Sequence, residues 1–173
     1  MSTRPSFRQL AGRAVPWLFV VGLVALAVTQ IRGGGAAVAD GSLAPALAVQ
    51  TDDGSRVDLA RERGKLVVLN FWGTFCPPCR AEAPVLQRAH DKLVRGHRGS
   101  VLGIAVDRAP LGEVTEFARR LGMLYPIAVG PMDAIERYKV DVVPTTYVIG
   151  RDGRVLRSFV GAVSDSELAD VID

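Results

Sequence analysis

The chain has 173 residues, 49% of them hydrophobic and 23% charged, the proportions of a folded globular protein rather than a disordered one. Its net charge of +3 is a property of one end: setting aside Arg4, Arg8, Arg13 and Arg32, 17 basic residues face 18 acidic ones. No basic face remains to recruit nucleic acid, and two cysteines only three positions apart exclude a disulfide-stapled scaffold.

In chain order, the first feature is residues 14–31, AVPWLFVVGLVALAVTQI, which carry no charge. At about 1.5 Å per residue such a helix spans roughly 27 Å, enough to cross a bilayer core. Three arginines precede it and only Arg32 follows, so the positive-inside bias keeps residues 1–13 in the cytoplasm, with Trp17 near the interface. A cleaved signal peptide ending at Ala37-Val38-Ala39 competes with this reading. The length of the run, and the Arg32 and glycines between it and that motif, favour an uncleaved transmembrane anchor. Both readings send the rest of the chain across the membrane. Residues 32–41, beginning with three glycines, are then a flexible linker, and 42–173 the folded domain.

Within that domain, 47–50 and 56–59 read as short strands around the turn Asp52-Asp53-Gly54, an N-terminal hairpin. Residues 66–72, LVVLNFW, form the almost continuous apolar run of a strand buried on both faces. A helix is expected from within CPPC to about 94, with Ala83, Leu86, Ala89 and Leu93 at helical spacing. A second buried strand at 101–106 follows, then a helix at 113–121, a strand at 127–129 and a helix at 132–138. Strands 145–149 and 155–160 flank Arg151-Asp152-Gly153 as a second hairpin, and a helix over 164–172 opens with a Ser164/Glu167 capping box. This alternation indicates an α/β fold, a mixed central sheet flanked by helices.

The chemistry centres on Cys76-Pro77-Pro78-Cys79, placed where a buried strand runs into a helix. A cysteine at a helix N-terminus feels the positive end of the dipole, which favours its thiolate. Cys79, one turn inside, is placed to attack a mixed disulfide formed at Cys76. Proline suits the first helical turn, whose N–H groups lack intrahelical partners. Pro77 also removes an N–H that would have solvated the sulfur, which predicts a Cys76 thiol less acidic than in more polar variants. Trp72 either lines the mouth of the site or fills core.

This stretch resembles the thioredoxin-like family and, within it, the membrane-anchored TlpA/ResA and CcmG/DsbE group. The resemblance rests on LVVLNFW, CPPC, Glu82 and Pro84 in RAEAP, the strand ending GIAVD, and VVPTTYVIGRDGRV, and it covers most of 42–173. It implies a thioredoxin-like fold and a thiol–disulfide oxidoreductase with no cofactor beyond the Cys76–Cys79 redox pair. Pro144 would be a cis-proline facing the cysteines, with Val143 offering its backbone to the substrate. Asn70 stands where ordinary thioredoxins carry a buried Asp, and Glu82 matches the buried carboxylate of the TlpA/ResA group, a residue that tunes the cysteines and takes up protons. The competing view of Glu82 is a solvated residue paired with Arg80 or Arg88. Phe75 departs from the group, which often has Trp there.

By the same resemblance, the partners are disulfides of exported proteins, apocytochrome c among them, and a membrane thiol carrier of the DsbD/CcdA type that supplies electrons. A monomer is expected. The opposite direction, oxidation or isomerisation in the manner of DsbA, stays open on the sequence, as does an assembly or chaperone module for metal-site proteins. A zinc site fails on ligand count: His90 and His97, the only histidines, lie at no zinc-finger spacing from the cysteines.

Overall fold

In the computed structural model, residues 37–173 are described. The expected cytoplasmic segment 1–13, the anchor 14–31 and the first part of the linker lie outside them. Among the described residues no helix is long and apolar enough to cross a membrane.

Every residue of LVVLNFW is buried, and this strand, β3 (Leu66–Trp72), lies at the centre of the sheet. Two short strands, β1 (Ala48–Gln50) and β2 (Arg56–Asp58), precede it and form the expected antiparallel hairpin as a small sheet of their own. The main sheet has the order β5-β4-β3-β6-β7. Its members are β4 (Gly99–Ala105), β5 (Ile127–Val129), β6 (Thr145–Ile149) and β7 (Val155–Val160). Strands β3, β4 and β5 run parallel, while β6 pairs antiparallel with both β3 and β7. The sheet is therefore mixed, with the hairpin β6–β7 on one side.

Alternation along β3 divides the core in two. Leu66, Val68 and Trp72 face a cluster shared with α1 (Pro77–Arg95), α2 (Leu111–Arg120) and α4 (Asp165–Ile172). Val67, Leu69 and Phe71 face the other way, towards Tyr147 and Tyr138, the residue that ends α3 (Met132–Arg137). Fully burying one such aliphatic side chain is worth roughly 1.5–3 kcal/mol. Both faces of β3 draw on that gain, which is why its sequence is apolar without alternation.

Element bounds differ from the expectation by one or two residues. Helix α1 begins at Pro77 and runs through Pro84 to Arg95. Helix α4 begins just after Ser164, whose side chain accepts from the Glu167 N–H while the Glu167 carboxylate accepts from the Ser164 N–H, the predicted capping box.

The folded unit starts at Ala37, earlier than the expected boundary at 42. Composition assigns 37–41 to the linker, but Val38 is apolar and buried against the second cluster, its N–H donating to Tyr147 Oη. The Gly41 N–H bonds Val155 O, and Asp40 accepts from the Ser158 N–H. Packing on the outer strand β7 fastens these residues to the domain.

Candidate active site

The site forms where the C-terminal end of β3 turns into α1. After Trp72 the chain closes a tight turn, the Cys76 N–H bonding Gly73 O at 3.1 Å. The Phe75 ring folds back over Gly73, so a Cβ there would lie 2.7 Å from the ring and the ring would have to move aside. Cys76 is the N-cap of α1 and is disulfide-bonded to Cys79. Its Sγ accepts from the Cys79 N–H at 3.2 Å. Helix termini leave their first N–H groups without intrahelical partners. Here two of the first three helical residues are Pro77 and Pro78, which have none, and the sulfur takes the third. The first turn also carries no acidic residue to repel a thiolate.

Cys76 is only 4% exposed, yet its surroundings are open: Pro77 and Pro78 are on the surface and Phe75 is 65% exposed. The Val143–Pro144 peptide is cis, and Val143 O lies 3.6 Å from Cys76 Sγ. Loop 139–144 and the CPPC turn therefore face each other across the disulfide, bringing together four of the positions singled out in the sequence, Cys76, Pro77, Val143 and Pro144. Pro78 lies beside them on the surface. Val143 is half-buried and Pro144 buried, so the loop meets the site edge through backbone.

Trp72 is not part of that surface. It is 1% exposed, stacked on Phe117 at 6.5 Å within the α1-side cluster, and no substrate-facing position remains for it. The alternation of β3 points it inwards under the helices. Beside the cysteines, Phe75 and Phe117 instead wall an open cleft that includes Thr74, Glu113 and Arg120. Phe117 was not singled out in the sequence; its place beside the site follows from the packing of α2 on the sheet.

Glu82 lies one helical turn past Cys79 and is 2% exposed. Among the described residues it makes no ion pair: Arg88 pairs with Asp165, and Arg80 donates to Thr74 O. Its carboxylate accepts instead from Asn70 Nδ2 at 2.8 Å and from the Val163 N–H at 3.1 Å. Burial pushes its pKa up to about 7, against the two hydrogen bonds, which pull it down. Asn70 also donates to Thr146 Oγ1, its partner on β6, so both amide hydrogens are engaged. The amide at position 70 thus orients a carboxylate supplied by the helix. Among the described residues, no group of three or more His, Cys, Asp or Glu is placed to hold a metal ion.

A dithiol/disulfide pair at a helix N-terminus, opposite a cis-proline on a mixed five-stranded sheet, defines a thioredoxin-like thiol–disulfide oxidoreductase. The chain belongs to the AhpC/TSA family, which it matches over residues 41–158. Among its relatives, the thiol-disulfide oxidoreductase ResA of Geobacillus thermodenitrificans is 33% identical over 133 residues, covering 76% of this chain and 75% of that one. A DsbF homologue from Corynebacterium diphtheriae superposes with a TM-score of 0.68 at 32% identity, covering 80% of this chain and 90% of the other. A secreted thiol-disulfide isomerase from Corynebacterium glutamicum does so at 0.67 and 30%, covering 76% and 83%.

Proposed function

We propose that the protein is an extracytoplasmic reductant of disulfides in exported proteins, held at the membrane by residues 14–31. The observation that carries the direction is the cap of α1. In the disulfide Cys76 Sγ accepts from one first-turn N–H, that of Cys79, and Pro77 and Pro78 have none to offer a thiolate formed there. A strongly oxidising pair owes its potential to a stabilised reduced form. Here that stabilisation is small, which favours the disulfide and makes the dithiol a good electron donor.

Cys76 thiolate attacks one sulfur of the substrate disulfide, forming a mixed disulfide and expelling the other substrate sulfur as thiolate. Cys79, giving its proton to Glu82, then attacks Cys76 Sγ and expels the second substrate thiolate. The substrate gains two electrons and the protein ends as the Cys76–Cys79 disulfide. Glu82, with a pKa of about 7, suits a proton acceptor and donor near neutral pH. Val143 O, opposite Cys76, is placed to pair with extended substrate backbone. A membrane thiol carrier of the DsbD/CcdA type would restore the dithiol, and the anchor raises its effective concentration. Apocytochrome c, with its paired cysteines, is the substrate this reading favours. The secreted relative supports the location.

The reduction potential tests the direction. A value near or below about −270 mV, that of thioredoxin, fits a reductant; one near about −120 mV would make the protein an oxidant and end the cytochrome-maturation reading.

A further inference from the structure

Thr74, two residues before Cys76, is held from both sides. Its N–H lies 3.1 Å from Asp107 Oδ2, and its hydroxyl donates to Asp107 Oδ1 at 2.5 Å. Its carbonyl accepts from Arg80 Nη2 at 2.9 Å. Asp107 arrives from another part of the chain: the Val106 N–H bonds Trp72 O at 2.9 Å, continuing the β3–β4 pairing, and this brings residue 107 beside the turn. Arg80 reaches back from the first turn of α1, its guanidinium also lying over Phe117. One half-buried residue of the active-site turn therefore has its N–H, hydroxyl and carbonyl all engaged by charged side chains. Such charge-assisted bonds are roughly twice as strong as neutral ones.

The need for this arrangement follows from the two prolines. With several N–H groups in the first helical turn, a shift of the sulfur away from one donor is offset by approach to another. With the Cys79 N–H alone, a shift of the Gly73–Cys76 turn leaves the sulfur without a backbone donor. We propose that Asp107 is a positioning residue for the redox reaction: with Arg80 it clamps Thr74, fixes the Gly73–Cys76 turn, and so holds Cys76 Sγ on its single N–H donor. The same turn carries the exposed Phe75 ring, which lies over Gly73. The inference rests on the reading of Cys76 as the attacking thiol, but not on the direction of electron flow.

The test is the pH profile of iodoacetamide alkylation at Cys76 in the reduced full-length protein, with the modified cysteine located by mass spectrometry. Asp107→Asn and Asp107→Ala both remove the negative charge, but only the first leaves an oxygen to accept from Thr74. Thr74→Ser and Thr74→Val are both uncharged, and only the first keeps the hydroxyl. Asp107→Ala and Thr74→Val are expected to move the alkylation midpoint up by about one pH unit relative to Asp107→Asn and Thr74→Ser, about a tenfold loss of thiolate below the midpoint. Melting temperatures identify the folded variants, and either pair suffices alone. Coincident midpoints within either folded pair, with alkylation at Cys76 throughout, would overturn the positioning role and leave the proposed function standing. First alkylation at Cys79 in the unmodified protein would overturn both.

Discussion

The N-termini of α1 and α4 solve the same problem with different chemistry. Helix α4 is closed by Ser164 and Glu167, each side chain accepting from the other residue's N–H, with Asp165 also in the first turn. Its oxygen acceptors and negative charges complement the positive helix end, an arrangement that only stabilises. Helix α1 uses a sulfur as its cap, two prolines in place of two donors, and no acidic residue in its first turn. That end keeps its positive character for the reacting atom, and its carboxylate, Glu82, lies a turn deeper and out of water. A stabilising cap and a catalytic cap differ in where the negative charge sits and in whether the capping atom can react.

The largest expected effect comes from exchanging the two capping chemistries. Cys76→Ser keeps an N-cap acceptor and removes the nucleophile. Its turnover of a small disulfide should fall to background, while its melting temperature stays close to that of the reduced parent. Residual turnover above background would break the distinction between the two caps.

The second effect is the pH dependence due to Glu82. Its folded pKa of about 7 lies above the ordinary 4.5, so the folded form holds a proton that the unfolded chain releases between those values. The stability contribution is fully present below about pH 4.5 and lost as pH rises to about 7. A shift of this size corresponds to roughly 3 kcal/mol, since each pKa unit is about 1.4 kcal/mol. Urea unfolding of the oxidised protein at pH 4.5 and pH 8 should show that loss. Glu82→Gln should flatten it, although its amide offers one acceptor oxygen where the carboxylate uses two, for Asn70 Nδ2 and for the Val163 N–H. A slope unchanged by the substitution would mean that another group carries it.

Smaller effects sharpen the contrast from the other side. Ser164→Ala should cost about 1 kcal/mol of stability in chemical denaturation and leave the Cys76 alkylation rate unchanged. Pro77→Ala should restore one N–H to the first turn of α1 and lower the Cys76 alkylation midpoint by less than about one unit, the size of a helix-end interaction. A Cys76 thiol already titrating below about pH 6 in the unmodified protein would contradict the role assigned to the two prolines.

Much of this contrast is written in local sequence. The apolar run of β3, the helix opening at CPPC and the Ser164/Glu167 box depend on backbone preferences and on contacts within a few residues, so periodicity and spacing expose them. The reactive pair, and the carboxylate one turn beyond it, are legible for the same reason. Contacts between distant segments are not. The burial of Glu82 and its bonds to Asn70 and Val163 require α1, β3 and the segment before α4 to meet. The family resemblance implied a buried Glu82, while its helix position also allowed one paired with Arg80 or Arg88; packing of α1 on the sheet decided it. The same packing turned Trp72 into core and left Phe75 at the surface. Val38, assigned by composition to a linker, became part of the domain through Tyr147, more than a hundred residues away. Asp107 ends a strand like many acidic residues, and only the pairing of β4 with β3 brings it onto Thr74. The sequence determined the elements and the reacting atoms because these depend on neighbours in the chain. The proton-holding carboxylate and the clamp on the active-site turn were decided by the tertiary structure, because burial and hydrogen bonding between remote segments exist only once the sheet has formed.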